Sequence, residues 1–372
     1  MDTFFSGIGK FAQRQVRRNN SVLAVAICVF GIASCSKPEL TSPSSTPAAS
    51  TSSTTTAPVA TTQAAATPAT VTATSAPVAA ATTAPAETTR APISTTAALA
   101  AQSSATEPKL ETLVPADFDP VRSTIIDNKW LPMRPGMRYV YVGTTVEDDG
   151  KVVPHRLEIN ITDLVKVIAG IRTVVSYDLD YSDNELVEAE LALFAQDKKG
   201  NVWHFGQYPE EYDEGKMTNA PAWIHGIQGA NAGITMKADP KVGDPSYSQG
   251  WGPAVNWTDR GQTHLMDQKT AVKAGKYENV LVVKETAASE GDAYQLKYYA
   301  PGVGNVRVGW AGAQEKSKES LELVKIEKLD AKALANVRAK ALALEKSAYK
   351  VSKQVYALTT PAVVNEIKKN KP

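Results

Sequence analysis

The chain has 372 residues, 43% of them hydrophobic and 21% charged, with 40 Lys and Arg against 39 Asp and Glu and a formal net charge of +1. The total hides an uneven spread: residues 1–37 carry five basic residues against one acid, residues 108–328 carry 25 against 32, and residues 329–372 carry nine against three. An acidic centre argues against nucleic acid as a partner. With Cys28 and Cys35 as the only cysteines, no disulfide can staple the chain beyond residue 35.

Residues 1–20 hold Lys10, Arg14, Arg17 and Arg18, and the stretch VLAVAICVFGIA at 22–33 is uncharged. A bilayer core about 30 Å thick takes about 20 apolar residues as a helix, so this run is short for a span. It has the length of a signal-peptide apolar region behind a basic flank. The residues Ile32-Ala33-Ser34-Cys35 then resemble the bacterial lipobox, with Ile32 where Leu is commoner. That resemblance implies a signal peptide over 1–34, removed by cleavage before Cys35. Acyl chains such as palmitate on the Cys35 sulfur would hold the mature chain to the cell membrane, or to an outer membrane where one exists. The alternatives are an uncleaved anchor, an ordinary secretory signal, or a cytosolic chain with an incidental thiol.

Residues 35–107 are dominated by Ser, Thr, Ala and Pro and contain no aromatic residue. They cannot bury enough apolar area to offset the entropy of ordering, so a disordered stalk is expected, averaging roughly 50 Å end to end as a coil. Ser/Thr with interspersed Pro also suits O-glycosylation.

From residue 108 to 328 the expectation is an antiparallel β domain. Ile171, Thr173, Val175, Tyr177 and Leu179 recur with period two; so do Val187, Ala189, Leu191 and Leu193, with Glu188 and Glu190 on the other face. Tyr294, Leu296 and Tyr298, and then Val306, Val308 and Trp310, repeat the pattern. Asp149-Gly150, Lys199-Gly200 and Pro301-Gly302 mark tight turns between such runs. About nine or ten strands in a meander should curl into a half-barrel, barrel or sandwich. The stretch 209–262, rich in Gly, Pro and Asn, reads as a long irregular excursion.

Residues 329–372 read as a basic helix and tail. Leu334, Val337, Ala341, Leu344, Ala348, Val351, Val355 and Leu358 follow a 3-4 spacing after Asp330, a candidate N-cap, which predicts a helix of about 28 residues. The apolar stripe suits docking on a sheet, and its heptad spacing also allows self-association.

Chemistry is sparsely signalled. His155, His204, His225 and His264 lack metal-ligand spacing and have no cysteine partner, no nucleophile elbow or phosphate loop occurs, and no catalytic residue, metal or cofactor is expected. The run NVWHFGQYPEEYDEGK sets Trp203 ahead of Glu210 and Glu211 in an acidic loop over 209–214. Paired carboxylates beside aromatics could serve polysaccharide hydrolysis, or simply lie in solvent. Trp223 and Trp257, with Trp203, Glu210 and Glu211, form the candidate ligand-binding set, against the alternative that they pack a β core.

At GNVWHFGQ and KYYAPGVGNVRVG the domain resembles a group of bacterial exported proteins and lipoproteins that share these two hairpins, over about 120–328. The resemblance implies a β architecture and brings no activity with it. By analogy with curved half-barrels in other envelope lipoproteins, it leaves room for a lipid-holding cleft. The expectation is therefore a lipid-anchored, non-catalytic binding or scaffold module, its basic helix meeting anionic wall polymer or lipid headgroups. The alternatives are a wall-polysaccharide hydrolase and a carrier of lipid or another hydrophobic ligand.

Overall fold

The structure, a computed structural model, describes residues 109–365. Cys35, the signal peptide, the stalk and the last seven residues lie outside the described residues. Five long strands come first: β1 (Met137–Val146), β2 (Val152–Ile168), β3 (Ile171–Ser182), β4 (Glu185–Gln196) and β5 (Val202–Asp213). Tight turns join them, at Asp149-Gly150, at Asp183-Asn184 (φ 49° and 67°) and at Lys199-Gly200. Two consecutive residues at positive φ give the turn whose twist matches a β hairpin. A second meander follows the excursion: β11 (Arg260–Val272), β12 (Gly275–Thr286), β13 (Tyr294–Ala300), β14 (Gly304–Ala311) and β15 (Ser320–Lys328), the last pairing back onto β1.

The segment expected to be irregular is the clasp between the two meanders. It contains β6 (Lys216–Asn219), β7 (Trp223–Ile224), β8 (Asn231–Met236), β9 (Tyr247–Ser248) and β10 (Gly250–Trp251). Strand β8 pairs with β5, and β10 pairs with β8 at one end of the sheet, while β9 pairs with β11 at the other. Only Gln249 separates β9 from β10, so the chain itself bridges the two ends, and the sheet, open between those two strands, curls into an incomplete barrel. The Gln249 amide ties the seam, donating to the Thr235 carbonyl at 3.4 Å and to Glu285 at 2.8 Å. Glycine is needed here: a Cβ on Gly233 would lie 2.2 Å from the Gly250 nitrogen.

Alternation along each strand sorts side chains to two cores. Outward from β2–β5, Leu164, Val175, Leu191, Leu193 and Phe205 pack beneath the helix α1 (Ala331–Val351) through Val337, Ala341, Leu344 and Ala348. Inward, Tyr139, Ile161, Val174, Phe194, Leu281 and Leu321 come from both meanders and meet inside the barrel. Ile126, Trp130 and Met133 join this inner core, held by the Ile126–Met133 bridge and a bond from the Gly302 nitrogen to the Lys129 carbonyl.

The helix begins as expected: the Asp330 carboxylate accepts from the Ala333 nitrogen at 2.7 Å. It stops at Val351, seven residues short of the expected end, and the chain turns inward to bury Tyr356. It docks rather than stands free. Lys166, with a fully buried side chain, donates to Glu345 at 2.8 Å, to the Tyr349 hydroxyl at 3.0 Å and to the Thr360 carbonyl at 2.7 Å. Beyond it, β16 (Val363–Val364) adds to β2.

Candidate functional site: an acidic chamber inside the barrel

The register of β3 and β4 pairs Asp178 with Glu190 and Asp180 with Glu188. Partners directly opposite in a sheet share a face, and here that face looks into the barrel. It borders a cavity of about 140 Å³ to which Asp178, Asp180, Glu319 and Lys297 contribute. The remaining wall is apolar and aromatic, with Tyr139, Tyr141, Phe194, Tyr299, Leu157 and Ile159 among its lining. Leu131, Pro132 and Met133 line it too, from the segment that precedes β1.

Burial governs the electrostatics. His155 sits between Asp180, 2.7 Å from Nε2, and Glu319, 3.2 Å from Nδ1. Burial alone would lower its pKa, but Asp180 and then Glu319 outweigh that and lift it to about 9, so the ring is a cation near neutrality. Burial likewise opposes the charge on Lys297, and its 2.6 Å pair with Glu285 reverses the effect and raises its pKa. Both buried cations therefore already have carboxylate partners. Gln295 donates to Glu319 as well.

The acids left over are pushed toward their protonated forms. Burial lifts Asp178 to about 7, against the lowering effect of its 2.6 Å bond from the Ser176 hydroxyl. Burial, reinforced by Glu188, Asp178 and Asp180, pushes Glu190 well above the usual carboxylate range. Glu190 is 1% exposed, and its Oε1 has no hydrogen-bond partner. A buried carboxylate oxygen without a donor is costly, and charge is costlier still.

Of the residues singled out from sequence, Glu211 stands opposite Glu188 on β4 and shares its face, and the others lie elsewhere. Glu210 and Glu211 are consecutive on β5 and so point to opposite faces, which prevents them from flanking one scissile bond. Glu210 is buried under α1 and accepts from Tyr208 at 2.7 Å and Tyr212 at 2.5 Å. The expected acidic loop is thus mostly strand, turning only at Glu214-Gly215. Trp203 is buried outside the barrel, its indole bonded to Asp197 at 2.9 Å. Trp223 and Trp257 are buried together, 5.5 Å apart, around His204. Burial lowers the His204 pKa to about 3, so that ring stays neutral and packs on Phe194. Among the described residues no group of three or more His, Cys, Asp or Glu side chains has metal-holding geometry.

No family model and no curated protein matches the chain. Solved structures that resemble it include the following two. A Bacteroides fragilis protein described as exported and of YmcC-like fold is 14% identical with a TM-score of 0.34, the match covering 54% of this chain and 100% of the other. A Parabacteroides distasonis protein described as a lipoprotein is 10% identical with a TM-score of 0.26, again covering 54% of this chain and 100% of the other.

Sequence reasoning missed the chamber for a definite reason. Period-two alternation separates two faces but does not say which one meets water. Glu188 and Glu190 stand on the second face of β4, and alternation alone leaves open whether that face is solvated or enclosed. The available signal was Asp178 and Asp180 on the neighbouring strand, which stack a second pair of acids on the same side.

Proposed function

We propose that the protein is an extracytoplasmic envelope protein, lipid-anchored through Cys35, whose barrel is a non-catalytic binding module for a small ligand. The chamber carries this reading: a cavity of about 140 Å³ with aromatic and aliphatic walls on one side and carboxylates on the other. Binding sites combine an apolar lining with a few convergent polar groups. A comparable apolar cavity of about 150 Å³ takes a benzene-sized molecule, whereas drug-sized ligands need about 300 Å³ or more. The volume thus favours a compact ligand over a long acyl chain. The stalk would hold the barrel away from the membrane. The exposed Lys332, Lys340, Lys346 and Lys350 on α1 would meet anionic wall polymer or lipid headgroups.

The test is native mass spectrometry of the full chain purified without denaturation. A small molecule should co-purify, and it should be lost from a Val308→Phe variant that fills the chamber. A chain that carries no small molecule, and whose melting is unmoved by any compact amphiphile, would contradict the reading.

A further inference from the structure

We propose that the chamber, read as a ligand site, is specific for a small organic ammonium ion, seated between Asp178, with Glu190 behind it, and the rings of Tyr139, Tyr141 and Tyr299. Three independent observations converge on this. The first is charge. Carboxylates outnumber cations on the inward face, where Asp178, Asp180, Glu188, Glu190, Glu285 and Glu319 stand against His155 and Lys297; Asp178, Asp180, Glu319 and Lys297 line the cavity itself. His155 is taken by Asp180 and Glu319, and Lys297 by Glu285. Asp178 and Glu190, opposite each other on β3 and β4, have no cationic side chain bonded to them.

The second observation is the unpartnered oxygen. Glu190 is buried on the inward face of β4, behind the cavity-lining Asp178 it opposes, and among the described residues its Oε1 meets no donor. Buried polar atoms are almost always satisfied, and one left without a partner beside a cavity is a place where a water, an ion or a ligand completes the bonding. The third is the composition of the opposite wall. Three tyrosines and Phe194 line the same cavity. A ring presents a negative face, and an aromatic cage completed by carboxylates is how proteins recognise ammonium groups. A neutral ligand would use the rings and leave the acids protonated, and an anion would meet an excess of carboxylates. Only a cation uses both walls.

The experiment titrates the full chain by calorimetry with three ligands of nearly the same shape: choline, its neutral isostere 3,3-dimethylbutan-1-ol, and the anion 3,3-dimethylbutyrate. Choline should bind at least tenfold more tightly than the alcohol, and the anion should not bind. The Asp178→Asn/Glu190→Gln variant, whose changes are isosteric and relieve buried charge, should lose at least tenfold in choline affinity while its affinity for the alcohol is unchanged. Alcohol binding equal to or tighter than choline would overturn the ammonium assignment and leave the binding-module reading standing. Failure of all three to bind would overturn both.

Discussion

Outward from β3 and β4 lies the layer beneath α1; inward lies the chamber. The same two strands furnish both, residue by residue, yet the layers treat buried charge in opposite ways. Outside, the buried cation Lys166 meets the carboxylate Glu345, and the other buried carboxylate, Glu210, accepts from the Tyr208 and Tyr212 hydroxyls. The Lys166 ammonium uses its three donors on Glu345, Tyr349 and Thr360, and Glu345 also accepts from the Ala362 nitrogen at 3.0 Å. Nothing there awaits a further group. Inside, carboxylates outnumber cations, and Glu190 keeps an oxygen without a donor. A closed balance marks a layer built for docking a helix. An open one marks a layer built around something that arrives later.

The comparison can be broken first on the outer side, where the largest effect is expected. Removing one partner of a buried pair strands the other, at about 3–5 kcal/mol. Lys166→Met or Glu345→Gln should each lower unfolding free energy by about that much in urea denaturation. The double variant Lys166→Met/Glu345→Met should recover most of the loss. Equal losses in single and double variants would mean that the pair is not the balanced unit described here.

On the inner side the sign reverses. Asp178 faces Glu190 on β4, Tyr141 on β1, Lys297 on β13 and Glu319 before β15, and its folded pKa of about 7 stands above its unfolded value of 3.8. As pH rises between those values the unfolded chain ionises while the folded chain keeps its proton, so stability falls over that window. Asp178→Asn should therefore stabilise the protein at pH 8 by roughly 2–4 kcal/mol and have little effect at pH 4. A gain that does not depend on pH would refute the assignment.

His155 provides a smaller, opposite test. Its folded pKa of about 9 exceeds its unfolded 6.5, so its contribution is fully present below about 6.5 and is lost as pH rises through 9. The stability advantage of the native chain over His155→Gln should shrink by roughly 2 kcal/mol between pH 6 and pH 10. The smallest effect belongs to the solvent side of α1. Replacing Lys332, Lys340, Lys346 and Lys350 together by Gln should change stability by less than about 0.5 kcal/mol. The same replacement should weaken sedimentation with anionic wall polymer at low salt. It is a cleaner probe than deleting 329–372, which would strip the outer core.

Much of the architecture was legible. Strand alternation, the Asp149-Gly150 and Lys199-Gly200 turns and the Asp330 cap are local signals, and local chemistry carries them. The end of α1 was not, because the 3-4 apolar spacing runs on through Val355 while the backbone leaves the helix at Ser352 to bury Tyr356. The clasp was hidden because β7, β9 and β10 are two residues each, too short for any period to register. The Lys166–Glu345 pair and the His155–Glu319 contact join residues far apart in the chain, and pairing at that distance leaves no mark on either neighbourhood. The chamber combines both difficulties: its acids share a face that alternation alone does not orient, and only the curl of the sheet turns that face inward.

The central claim is that a bound cation replaces protons on the inner acids. Calorimetric titration of the full chain with choline at pH 6.5, in two buffers of different ionisation heat, counts those protons directly. Net proton release on binding is the predicted result. Binding without proton release, or with uptake, would contradict it.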